Sequence, residues 1–90
     1  MLAEPTLEVT YRHGKPWAAY LSLPRVAGQR TAKSRPVGNG LVVDLGKDGT
    51  PLGIEITAPG RFSMTTLNAV LRSLGITPVR RIDVRPLIAA

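Results

Sequence analysis

The stretch Gly40-Leu41-Val42-Val43-Asp44-Leu45-Gly46-Lys47-Asp48-Gly49-Thr50-Pro51-Leu52-Gly53-Ile54-Glu55-Ile56 decides the fold of this chain. Leu41, Val43 and Leu45 alternate with Val42 and Asp44, and Leu52, Ile54 and Ile56 alternate with Gly53 and Glu55. That period of two is the signature of a half-buried strand. Gly46 to Gly49 supplies the turn, so the stretch reads as a β-hairpin. Its two apolar sets share a face only if the turn holds an even number of residues. Pairing Val43 with Leu52 meets that condition and puts Lys47 and Asp48 at the tip. In that register Glu55 faces Gly40, and Asp44 lies about 13 Å away along the same strand at ~3.4 Å per residue. Acid/base pairs of the glycosidase type stand roughly 5–10 Å apart. The two carboxylates are therefore expected to serve the fold, Asp44 bonding a turn amide or a basic neighbour and Glu55 an arginine.

The same alternation appears upstream. Leu7, Val9 and Tyr11 are followed by the turn His13-Gly14-Lys15-Pro16 and then by Trp17, Ala19, Leu21 and Leu23. Pairing Leu7 with Leu21, Val9 with Ala19 and Tyr11 with Trp17 places every large apolar group on one face. Pro24 to Val37 is far less apolar and carries Arg25, Arg30, Lys33 and Arg35. A short basic strand over Arg30–Arg35, ending at proline, has the character of a protected sheet edge. Its sharper reading is a ribbon that contacts phosphates.

After Ala58-Pro59-Gly60 the period changes. Met64, Leu67, Val70, Leu71 and Leu74 recur at helical spacing behind Ser63, a good N-cap, with Phe62 and Leu67 placed as a hydrophobic staple. Gly75 reads as the terminator. The tail from Ile76 to Ala90 mixes Arg80, Arg81 and Arg85 with Val79, Ile82, Val84 and Leu87 and fits either a further strand or a short helix.

Ninety residues make a single domain, with a core expected over 7–75 and a tail over 76–90. The 43% apolar content belongs to a globular chain, and the many glycines and prolines favour short strands over a helical bundle. No apolar run reaches the ~20 residues that a membrane helix needs, and the N-terminus lacks the pattern of a secretion signal. The absence of cysteine excludes disulfides and thiolate ligands and fits a cytoplasmic address. One histidine, His13, is too few for a metal site, and no phosphate-binding, dinucleotide or nucleophile-elbow motif occurs. Neither an enzyme nor a cofactor is expected.

Twelve Lys/Arg against six Asp/Glu give a net charge of +6, which draws polyanions. A nucleic-acid or acidic-partner surface would use Arg25, Arg30, Lys33, Arg35, Arg80, Arg81 and Arg85, if the sheet gathers them, and Ala substitution of Arg30, Lys33 and Arg35 would weaken it. Single-strand binders stack bases on several aromatics. This chain has four, and the pattern assigns Tyr11 and Trp17 to the core and Phe62 to the staple, leaving Tyr20 as the stacking candidate. That argument favours a protein partner or a homo-oligomer over nucleic acid.

The block Gly40-Leu41-Val42-Val43-Asp44, then Asp48-Gly49, then Gly53-Ile54-Glu55-Ile56, preceded by Ala18-Ala19-Tyr20-Leu21-Ser22-Leu23, resembles the bacterial domain-of-unknown-function family DUF2283. The resemblance runs from about Leu7 to Leu74. It implies a small antiparallel β-meander followed by a helix, no catalytic residues, and an antitoxin-like partner of a small toxin. The chain departs from the family at Trp17 and Ala18, where members carry an acid, and in its positive charge.

The expected architecture is α+β: about four antiparallel strands in a meander, one helix packed on one face, and a short element at the C-terminus. The expected core is Leu7, Val9, Tyr11, Trp17, Ala19, Leu21, Leu41, Val43, Leu52, Ile54, Ile56, Leu67, Val70, Leu71 and Leu74. The expected function is that of a non-enzymatic interaction module.

Overall fold

The computed structural model of the chain describes residues 5–24 and 28–88. Five strands form one antiparallel sheet: β1 (Thr6–Arg12), β2 (Lys15–Ser22), β3 (Lys33–Gly38), β4 (Leu41–Leu45) and β5 (Pro51–Ile56). They are ordered β1-β2-β5-β4-β3. The meander β3-β4-β5 thus lies beside the β1–β2 hairpin with β5 at the centre. Its central place explains why Leu52, Ile54 and Ile56 are almost fully buried. Helix α1 (Met64–Ser73), a 3₁₀ turn over Arg81–Val84 and the short helix α2 (Arg85–Ile88) follow. The α+β class is as expected, with five strands in place of about four.

The β4–β5 register differs from the sequence-based one. Val43 pairs with Ile54, Val42 with Glu55 and Asp44 with Gly53, because a bulge between Asp44 and Leu45 shifts the ladder so that Leu45 meets Pro51. The turn closes through Gly46 N–H to Thr50 O (2.8 Å) and Gly49 N–H to Gly46 O (3.0 Å), with Asp48 accepting the Thr50 N–H (3.0 Å). A displacement of two residues keeps each side chain on its face, so the apolar assignments for Leu41, Val43, Leu52, Ile54 and Ile56 hold.

The basic strand lies three residues later than expected, at Lys33–Gly38 instead of Arg30–Arg35. All of its residues are exposed, and it forms one edge of the sheet. Pro36 is accommodated there because an edge strand needs ladder donors on one side only.

Helix α1 has the ends read from sequence. Ser63 caps it, its Oγ accepting the Thr66 N–H at 3.3 Å. Gly75, at φ 74°, closes it in a Schellman motif, with Ile76 N–H on Leu71 O (2.9 Å) and Gly75 N–H on Arg72 O (3.0 Å). The tail is part of the core and not an appendage. Val79, Val84 and Leu87 are buried with Ala19, Leu21, Leu67 and Leu71. Buried Asn68 fastens the tail to α1: its Nδ2 donates to Val79 O (3.2 Å) and its Oδ1 accepts the Val79 N–H (2.9 Å).

Candidate functional site

Residues Lys15–Ala18 of β2 pair with β1 alone, because the β5 partner ends at Ile56 opposite Ala19. The first hairpin therefore projects past the five-stranded body as a two-stranded ribbon, about 13 Å long at ~3.3 Å per residue. A tight turn closes it, with His13 at φ 53° and Gly14 at φ 77°. Two successive positive-φ residues are the mark of a type I′ turn, whose twist matches that of the strands. Leu7 pairs with Leu21 and Val9 with Ala19, as the sequence dictates, but Tyr11 pairs with Pro16, not Trp17. Trp17 is the extra residue of a β-bulge, a device that re-aims side chains. Tyr11 (55% exposed) and Trp17 (56%) stand in solvent, which corrects their assignment to the core.

Between the two aromatics lie Arg12, His13 and Lys15, all exposed, and no acid. The Arg12 guanidinium stands over the Trp17 ring, 5.2 Å from its centroid, a cation–π contact that holds both groups at the ribbon end. The 3₁₀ turn Pro59–Arg61 packs against β2 and brings another exposed cation, Arg61, to the same end of the sheet. This cluster of two open aromatics among cations was invisible to the alternation rule. The clue was Pro16, next to Trp17, which disfavours a regular ladder there.

The residues singled out from sequence are dispersed. Lys33 and Arg35 lie on β3, with Arg30 just before it, while the turn Arg81–Val84 packs near β1 at the opposite edge. Four strand spacings, about 19 Å, separate β1 from β3, so the sheet does not gather the two basic groups. Arg25 lies outside the described residues. Arg80 is engaged with Asp83, which accepts the Arg80 backbone N–H (2.8 Å), Nε (3.3 Å) and Nη2 (3.2 Å). Those bonds hold the Asp83 carboxyl below its usual range, and the Thr50 hydrogen bonds do the same for Asp48. Arg81 and Arg85 are exposed around Ile82, itself 66% exposed. Tyr20, the expected stacking residue, is half-buried, and its ring lies on Gly53, where a Cβ would overlap the hydroxyl and ring.

The two acids are closer than the sequence register allowed. With Asp44 opposite Gly53, Glu55 is its diagonal neighbour on the same face, about 7 Å away. That spacing suits an acid/base pair, but the surroundings do not. Asp44 is 5% exposed and accepts the Ser34 hydroxyl at 2.7 Å, where a turn amide or basic neighbour was expected. Glu55 opens instead onto a shallow depression with Glu8, Thr10 and Tyr20 that Asp44 does not line. Among the described residues Glu55 makes no ion pair with an arginine, and no group of three or more His, Cys, Asp or Glu could hold a metal ion. No described helix is long and apolar enough to cross a membrane. No family model, curated protein or solved structure matches the chain.

Proposed function

We propose that this chain is a non-enzymatic binding module for polyanions, nucleic acid foremost, that works through its projecting β1–β2 ribbon. The observation that carries the reading is the exposure of Tyr11 and Trp17 beside Arg12, His13 and Lys15. Part of the sequence-based case against nucleic acid was the burial of those two aromatics. With both in solvent that objection falls, and the net charge of +6 gains a local focus. A cysteine-free chain of this kind suits a cytoplasmic setting.

Fluorescence anisotropy with a labelled oligonucleotide tests the reading. Affinity should fall steeply with salt, with a log–log slope of about −2 if Arg12, Lys15 and Arg61 each meet a phosphate of a single strand. Arg12→Ala/Lys15→Ala should weaken binding and flatten that slope by about 1.4. The triple change Arg30→Ala/Lys33→Ala/Arg35→Ala, at the far edge, should do much less. A triple variant that loses binding while the double variant keeps it would move the site to β3.

A second reading, that of a module binding itself or another protein, draws on the sheet face opposite α1. Glu8, Tyr20, Glu55 and Val42 form one cross-strand row there. In the antitoxin-like role implied by the family resemblance, the chain would meet a small toxin through this face, and light scattering on the purified chain, alone and with a candidate partner, would detect it.

A further inference from the structure

We infer that the ribbon end selects single-stranded nucleic acid, with a base stacked on the Trp17 indole and the adjoining phosphates held by Arg12 and Lys15. This rests on the polyanion reading above and names the form of nucleic acid it takes. A cation alone does not select one polyanion, because Lys and Arg neutralise the phosphates of duplexes and of single strands alike. An exposed indole does. Bases in a duplex are already stacked on each other and offer only their edges, whereas unpaired bases present a free π-face.

The geometry at the tip fits that second case. Trp17 is more than half exposed, yet it is held by the Arg12 guanidinium 5.2 Å from its centroid. That contact favours one orientation of the indole, so less freedom is lost when a base settles on it. Tyr11 stands one strand away, paired with Pro16, the neighbour of Trp17, and is equally open. It supplies a second ring at the same level of the ribbon. Arg12 can keep its contact with the indole and reach a phosphate, since a guanidinium stacks with its face and donates hydrogen bonds in its plane. Lys15, paired with Arg12 across the ladder, adds a point charge beside it. No acid lies between Tyr11 and Trp17 to repel the backbone.

Trp17 is the sole tryptophan of the chain, so its emission reports on the site directly. The experiment titrates the full chain with an oligothymidylate, with a duplex of equal length and with anionic phospholipid vesicles. The expected result is quenching of Trp17 by the single strand and at least tenfold weaker binding of the duplex. Trp17→Ala should lower single-strand affinity on the order of five- to a hundredfold. Its salt slope should not change, because no charge is removed, and Trp17→Phe should recover most of the affinity. Equal or tighter duplex binding, single-strand binding without quenching, or a response to vesicles alone would overturn the inference. If Trp17→Ala binds normally while Arg12→Ala/Lys15→Ala does not, the stacking inference fails and the polyanion reading stands; absence of binding to every polyanion ends both. The wild-type quench needs no variant, so a misfolded substitution does not blunt the test.

Discussion

Gly53 shows how a missing side chain can organise a sheet face. It sits on the central strand between Ser22 and Asp44, and the Tyr20 ring crosses the gap left by its absent Cβ. An aromatic laid diagonally over a strand glycine shields backbone that would otherwise be open. Gly53→Ala should therefore cost about 1–3 kcal/mol, the usual penalty of overpacking, as a lowered urea midpoint at unchanged m-value. In a Tyr20→Ala background the same change should cost far less, since the clash has gone. Equal costs in both backgrounds would mean that the ring does not rest there. Nothing in the alternation pattern foretold this pair. A strand period of two states which face a residue takes but not which neighbour it meets, so a register wrong by two preserves the core and misplaces every cross-strand partner. The separation of Asp44 from Glu55 was misjudged in that way.

Elements with strong local signals were legible, and those ordered by distant contacts were not. Helix α1 carries its own N-cap, staple and Schellman glycine, all of which act within a few residues. The first hairpin was equally plain up to Thr10 and then departed from its pattern at the bulge. Alternation presumes a regular ladder, and Trp17 breaks it. The tail has no period at all; its place is fixed by Asn68, a polar residue on α1 whose amide bonds both polar groups of the Val79 backbone. Removing that amide strands a buried donor and a buried acceptor, so Asn68→Ala should destabilise the protein by about 2–4 kcal/mol. The amide of Val79 should also exchange faster with solvent than in the wild type. A loss below ~0.5 kcal/mol would show that the tail is held by its apolar contacts alone.

Considered as one body, the molecule distributes its charge unevenly over its surfaces. Cations line the β3 edge, the C-terminal elements and the ribbon end, while Glu8 and Glu55 share the uncovered sheet face. Among the described residues, only the ribbon end adds exposed aromatic rings to its charge in this way. Composition suggested a polyanion ligand; the place proposed for it could not be read without the bulge at Trp17 and the projection of the ribbon past β5. The central claim is thus one of place, and amide chemical-shift mapping of the labelled chain during titration with an oligothymidylate tests it most directly. The shifts should concentrate between Tyr11 and Trp17 and at Arg61, with little change over Lys33–Gly38 or Arg81–Ile88. Shifts confined to the β3 edge or the C-terminal arginines, or none at a saturating ratio, would contradict it.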